Sequence, residues 1–326
     1  MKRLLSSALF LALIFLMISC SDDEGKGFLP RYEMSLIDQD VLPEKREVKI
    51  LFQVLDENGG GKPDLTVSDF TIIENGNPID TEGRPTIAPD SIPFEMKTVL
   101  LLDMSSSVET FVDKIKEASS ALIDAKLDNQ EIAIYTFDKQ LTLLQDFTND
   151  KELLKEKVNI LNGQELTNST NLYGAIINLT DNSRFIWDEK QDITEILKRN
   201  LIVFTDGRHN ADPGIEINDV LQEIADKEVY VAALNSQDLD VNNLKKIAGT
   251  SNRYLSADNV GKLREQFVGI QQQIIDYSKS IYYLYYQSPI TVPDSRENSL
   301  ELKLKVNGNQ SETGYIETAF NSEGFE

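Results

Sequence analysis

From residue 97 onward, short apolar runs alternate with segments whose apolar residues recur every three or four positions. The run at 97–102, with Thr98-Val99-Leu100-Leu101-Leu102 at its centre, predicts a buried strand. Val108, Phe111, Val112, Ile115, Ala118 and Leu122 then fall at helical spacing. Further strands are expected at 131–137, 200–204, 229–234 and 253–255, and further helices at 151–161, 172–179, 217–225, 239–248 and 260–277. Alternation of this kind predicts a parallel sheet with helices on both faces. In such sheets ligands sit at the carboxyl ends of the strands.

The flanks carry a different pattern. Residues 47–55 and 70–74 look like short strands joined by glycine-rich turns, among them Asn58-Gly59-Gly60-Gly61. Residues 280–287 and 299–306 alternate as strands around Pro289 and Pro293. These are antiparallel signals, and neither flank has enough strands to close a core alone. The simplest arrangement pairs segment 32–94 with segment 280–326 in one small antiparallel β-domain. The α/β domain, 95–279, a doubly wound and mostly parallel sheet, is then inserted into it.

Residues 1–19 read as a signal peptide: Lys2 and Arg3 give a basic start, and 4–17 is apolar apart from Ser6 and Ser7. That run is shorter than the about 20 residues a spanning helix needs. It ends Met17-Ile18-Ser19-Cys20, which resembles the lipobox of bacterial lipoproteins, although leucine is more usual where Met17 stands. The resemblance implies cleavage before Cys20 and a lipid on its thiol. Cys20 is the single cysteine of the chain, so no disulfide is available and stability must come from the core. Residues 20–31 are expected to be a lipidated tether. Its acidic start, Ser-Asp-Asp-Glu-Gly-Lys-Gly, is similar to the surface-export signal of Bacteroidota lipoproteins, and is equally a plain solvated linker. Ser21 follows the cysteine, where an aspartate retains lipoproteins at the inner membrane in enterobacteria. The expected location is therefore the outer membrane, with the surface-exposed and the periplasm-facing orientations both open.

The formal net charge is −22, and −24 once Lys2 and Arg3 leave with the signal. Such a chain is repelled by nucleic acid and by anionic lipid surfaces, and it tolerates bound cations.

Three loops draw attention because each leaves the carboxyl end of an expected strand or opens the helix beside one. Asp103-Met104-Ser105-Ser106-Ser107 follows the first strand. Ser169-Thr170-Asn171-Leu172 opens a helix, and Phe204-Thr205-Asp206-Gly207 ends the next buried strand. Taken alone, the serines could be turn or cap residues, with Ser107 capping the helix that starts near Val108. Together, two carboxylates and three hydroxyls form an all-oxygen set suited to a hard cation such as Mg²⁺, with Mn²⁺ and Ca²⁺ as alternatives.

The set resembles the metal-ion-dependent adhesion site of the von Willebrand factor A family, as in integrin I domains. Its pattern is Asp-x-Ser-x-Ser, a threonine, and the aspartate of Thr-Asp-Gly. The resemblance implies that Ser105, Ser107 and Thr170 ligate the metal through hydroxyls, while Asp103 and Asp206 act largely through water. It also implies a protein ligand whose exposed Asp or Glu fills the open position. The flanks are similar to a bacterial subgroup of the family, through 65–76 before the domain and 282–289 after it. The expected function is a metal-dependent binding or adhesion lipoprotein. A structural subunit of an envelope complex is the alternative, and a hydrolase the third reading.

The remaining candidates carry less. His209, the single histidine, is expected to be a solvated loop residue. No nucleophile-elbow motif accompanies it, and no second aspartate follows two residues after Asp103, so no catalytic role is assigned. Tyr282, Tyr283, Tyr285 and Tyr286 could make an aromatic sugar platform, but aromatic strand residues more often pack a sandwich core. Trp187 lies in what reads as an acidic loop before a helix, with no role assigned.

Overall fold

The computed structural model describes residues 30–87, 93–162, 168–181, 190–205, 209–211, 214–234, 239–257, 262–292, 296–306 and 308–326. Cys20 and the expected signal segment, Trp187 and Asp206 lie outside them. The N-terminal flank contributes β1 (Tyr32–Leu42), β2 (Glu47–Asp56), β3 (Phe70–Glu74), β4 (Asn77–Pro78) and β5 (Thr86–Ile87). The middle of the chain runs β6 (Phe94–Asp103), α1 (Val112–Ala125), β7 (Gln130–Phe137), β8 (Leu141–Thr148), α2 (Lys151–Asn159), α3 (Leu172–Thr180), β9 (Lys190–Gln191), β10 (Ile196–Thr205), α4 (Ile217–Glu223), β11 (Glu228–Leu234), α5 (Val241–Ala248), β12 (Tyr254–Ala257) and α6 (Leu263–Ser278). The C-terminal flank adds β13 (Ile281–Gln287), β14 (Glu297–Val306) and β15 (Asn309–Asn321). Among the described residues no helix is long and apolar enough to cross a membrane.

The central sheet has the order β12-β11-β10-β6-β7-β8. β6, β7, β10, β11 and β12 are parallel, β8 returns antiparallel along β7, and the short β9 pairs antiparallel with the start of β10. This is the doubly wound fold that the apolar pattern predicts. Successive side chains of a strand point to opposite faces, so the run Val99 to Leu102 serves two cores at once. Leu100, Leu102, Ile202 and Phe204 meet Ile115 and Leu122 of α1, Leu154 of α2, and Phe267, Ile270 and Ile274 of α6. Val99, Leu101, Leu201 and Val203 meet Leu172 and Ile176 of α3, Val220 of α4, and Leu244 and Ile247 of α5. Each fully buried aliphatic side chain contributes about 1.5–3 kcal/mol.

Both flanks enter each of two further sheets, ordered β1-β2-β13-β5 and β15-β14-β3-β4. Tyr282 of β13 stands opposite Phe52 of β2, and Leu302 of β14 opposite Ile72 of β3. The two sheets face one another over Val48, Ile50, Phe52, Phe70, Tyr282, Tyr286, Leu300 and Phe320. Phe52 packs edge-on to Phe70 at 5.4 Å and stacks on Tyr282 at 5.6 Å. The tyrosines of β13 thus divide by strand alternation. Tyr282 and Tyr286 fill the sandwich, while Tyr283 turns to the other face, beside Leu51, Ile196 and Ile281. That second cluster joins the β-domain to the base of β10. Gly61 completes the junction: a Cβ there would fall 2.4 Å from the Asp276 carbonyl oxygen and 2.4 Å from the Tyr277 Cα, so only glycine lets the turn after β2 meet the end of α6.

Several elements differ from the expectation. The segment after Asp103 opens as a 3-10 turn, Ser106–Phe111, and the α-helix proper begins at Val112. β1, β8, β9 and β15 are strands that the periodicity leaves unmarked. The chain beyond Trp187 continues into β9 and β10 rather than into a helix.

Candidate functional site

β6 and β10 are neighbours in parallel register, Phe204 beside Leu102, so their last residues reach the carboxyl edge of the sheet together. Asp103 ends β6 and Thr205 ends β10, and both are fully buried. The Thr205 hydroxyl donates to Asp103 Oδ2 at 2.7 Å. The other carboxylate oxygen, Oδ1, accepts from the Ser105 backbone N–H at 2.9 Å and from the Ser105 hydroxyl at 2.7 Å. Ser105 Oγ in turn stands 3.0 Å from Ser107 Oγ. Ser107 lies within the 3-10 turn, and neither this turn nor α1 is capped by a side chain at its N-cap, so the helix-cap alternative for Ser107 does not hold.

Three neighbouring loops are stitched to one another around this cluster. The Met104 N–H donates to the Phe137 carbonyl at the end of β7. The Ser106 hydroxyl donates to Asn168 Oδ1 at 2.5 Å, which ties the loop of Asp103 to the loop of Thr170. Thr170 is buried, 4% exposed, and Asn171 behind it caps α3 by accepting from the Gly174 N–H. The Asn171 N–H is held by the Asp138 carbonyl at 2.7 Å. Asn210, just past β10, bonds to Thr170 through both its side chain and its backbone. Beside it, His209 is half-buried rather than a freely solvated loop residue. Its ring stacks on Tyr173 at 4.3 Å with 15° between planes, and Nδ1 accepts from the Tyr173 N–H at 3.4 Å.

The donor chemistry fits a hard cation. Oxygens at adjacent corners of an Mg²⁺ octahedron lie about 3 Å apart, given metal–oxygen distances of about 2.1 Å. The Ser105–Ser107 separation of 3.0 Å matches that edge. Because the Ser105 proton is committed to Asp103, the Ser105 oxygen can only accept, from the Ser107 hydroxyl or from a cation. Among the described residues no three His, Cys, Asp or Glu side chains gather as a metal cluster, so the hydroxyls carry the fit. A cavity of about 340 Å³ at the domain junction, lined by Asp56, Tyr230, Asp276 and Tyr277 among others, contains none of the candidate ligands.

Asp103, Ser105 and Ser107 therefore form one hydrogen-bonded run, and Thr170 sits in the loop tied to theirs. Sequence reasoning missed Asn168, Asn210 and the His209–Tyr173 stack. Their only signal was a polar loop composition, because their contacts join residues 62, 40 and 36 positions apart.

An open parallel sheet wrapped by helices, with clustered hydroxyl and carboxylate oxygens where its strands end, defines an α/β domain of the doubly wound class, in which ligands sit at that edge. The chain belongs to the von Willebrand factor type A domain family, whose model matches residues 98–268. Domains of this family commonly bind protein partners and often hold a divalent metal. The chain is similar to proximal thread matrix protein 1 of the mussel byssus, with 16% identity and a TM-score of 0.46, over 56% of this chain and 49% of that one. This chain thus spans about half of the mussel protein, which has also been solved with zinc in its MIDAS motif. It is similar to a von Willebrand factor type A protein from Catenulispora acidiphila, with 12% identity and a TM-score of 0.47, over 89% and 73% of the two chains. It is also similar to the vWF domain of the type V pili tip protein Mfa5 from Porphyromonas gingivalis, with 13% identity and a TM-score of 0.45, over 57% and 96%. No curated protein matches the chain.

Proposed function

We propose that this protein is a divalent-metal-dependent adhesion module, without enzymatic turnover, that captures an acidic side chain of a protein ligand. We propose further that it is held at the outer membrane by a lipid on Cys20. One observation carries the first part: the Ser105 hydroxyl sits between Asp103 and Ser107 at cation-ligand spacing, at the edge where parallel sheets bind ligands. Ser105, Ser107 and Thr170 would hold the ion through neutral hydroxyls, with Asp103 and Asp206 balancing its charge. Mg²⁺, or Mn²⁺ or Ca²⁺ in its place, supplies a Lewis-acid position for a partner's carboxylate oxygen. The remainder of the chain works against such a ligand, since the net charge of −22 repels anions. Capture is therefore expected to depend on the metal. The Asp103 carboxylate fixes the rotamer of Ser105 before any ligand arrives, which lowers the ordering cost of binding.

The test is thermal denaturation against Mg²⁺ for the wild type and for Asp206→Ala. A ligand at one hundred times its dissociation constant stabilises the folded state by about 2.7 kcal/mol. The wild-type melting temperature should rise with Mg²⁺, and the variant should respond weakly or not at all. The same flat response in both proteins would remove the metal and the adhesion mechanism with it.

A further inference from the structure

We infer that Asn210 is the positioning residue of the metal site: it sets Thr170, and so links the loop after β10 to the loop that opens α3. The inference rests on the metal reading of Ser105, Ser107 and Thr170 given above.

Both polar groups of the Thr170 backbone go to Asn210. The Thr170 N–H donates to Asn210 Oδ1 at 2.7 Å, and the Thr170 carbonyl accepts from the Asn210 N–H at 2.9 Å. Two bonds to one residue fix the peptide planes on either side of Thr170, and with them the direction of its side chain. The loop on either side is held from other directions, Asn168 two residues before by the Ser106 hydroxyl and Asn171 just after by the Asp138 carbonyl. Those contacts place the loop, whereas Asn210 acts on the Thr170 backbone itself. The adjoining residue extends the same clasp. His209 stacks on Tyr173 and accepts its N–H, so positions 209–210 lie along positions 170–173 in two consecutive contacts. Tyr173 is anchored from behind, its hydroxyl accepting from Asn243 Nδ2 at 3.1 Å.

The chemistry gives the asparagine its role. A buried backbone N–H left without an acceptor is costly, so without Oδ1 the threonine loop leaves this conformation and turns that N–H to water. Asn210 is itself exposed and contributes no core packing, which separates positioning from general stability. Groups that orient a ligand from behind typically change metal affinity by about 10- to 100-fold when removed.

The experiment titrates Mg²⁺ into wild type, Asn210→Ala and Asn210→Asp by calorimetry, with metal-free melting curves beside it. Asn210→Ala should bind Mg²⁺ at least about 10-fold more weakly while melting, without metal, close to the wild type. Asn210→Asp keeps the acceptor and should recover wild-type affinity or exceed it. A second readout needs no metal: amide exchange at Thr170 should accelerate in the alanine variant and not in the aspartate variant. Equal Mg²⁺ affinity in wild type and Asn210→Ala would overturn the inference and leave the metal site standing. So would a loss shared by both variants and matched by a fall in metal-free melting temperature. Absence of any Mg²⁺ binding by the wild type removes the metal reading, and this inference with it.

Discussion

The Thr205 hydroxyl donates to Asp103 Oδ2 at 2.7 Å, joining the last residues of the two central strands beneath the candidate site. Both residues are fully buried, so the bond is screened from solvent and the carboxylate has little water to fall back on. Hydrogen bonds to charged groups contribute about 1.5–3 kcal/mol. Thr205→Val preserves the shape and removes the donor, so it should cost that amount in chemical denaturation, and Thr205→Ser should restore most of it. A valine variant within about 0.5 kcal/mol of wild type, the range of ordinary surface changes, would mean that Asp103 draws its support elsewhere.

Glu74 of β3 is 3% exposed and accepts the hydroxyls of Tyr286 on β13 and of Ser288, each at 2.8 Å. It clasps the two sheets of the β-domain. Burial pushes its carboxyl above the ordinary carboxylate value, and the two hydroxyls pull it only part of the way back. A raised folded-state value means that the folded protein holds this proton more tightly than the unfolded chain does. The associated stability is complete below the unfolded value and is lost as pH rises through the raised one. Glu74→Gln keeps an acceptor and sheds the titration. It should melt higher than wild type at pH 8, with the gap closing as pH falls towards 4. A gap that is constant with pH would show that burial of the charge is not what Glu74 costs the fold.

How far this architecture could be read from the chain depends on where each contact partner lies. Parallel strands buried on both faces appear as unbroken apolar runs, so Val99 to Leu102 and Leu201 to Phe204 announce themselves. The first half of β10 does not, because Lys198 and Arg199 interrupt it. Lys198 is buried where Glu228 of β11 meets it at 3.3 Å, with the Tyr277 ring 5.0 Å away, and no local pattern carries that. β1 is half-exposed along its length, so its alternation is blurred by residues such as Asp38 and Asp40. β8 lies at the sheet edge with Leu143 half-exposed, which hides its register. At the site the same rule applies. Asp103, Ser105 and Ser107 are two positions apart and were legible as a motif. The clamp on Thr170 spans 40 positions and was not.

The proposed membrane attachment rests on Met17-Ile18-Ser19-Cys20 at the end of the apolar segment. Cys20→Ala removes the only thiol to which a lipid could be joined. The variant should appear in the soluble fraction or accumulate with its signal segment uncut, as judged by fractionation and intact mass. A protein that stays in the membrane fraction and is processed like the wild type would show that some other feature holds it there.

The two flanks depend on each other, because each sheet of the β-domain mixes strands from both ends of the chain. β2 lies between β1 and β13, and β3 lies between β4 and β14. Removing residues 280–326 deletes β13, β14 and β15 together. It leaves β2 with one neighbour, β3 with only the two-residue β4, and Ile50, Phe52, Val54, Phe70 and Ile72 without the facing core of Tyr282, Leu300 and Leu302. A strand edge freed of its partner pairs readily with other chains. The α/β domain keeps its own two cores, whose residues come almost entirely from β6 to α6. The truncated chain should therefore aggregate through its N-terminal strands while retaining the helical signal of the α/β half. Hydrogen exchange should show protection lost over β2 and β3 and largely kept over β6 and β10. A truncated protein that is monomeric, with β2 and β3 as protected as in the full chain, would mean that the N-terminal flank closes its own core and that the pairing contributes little to its stability.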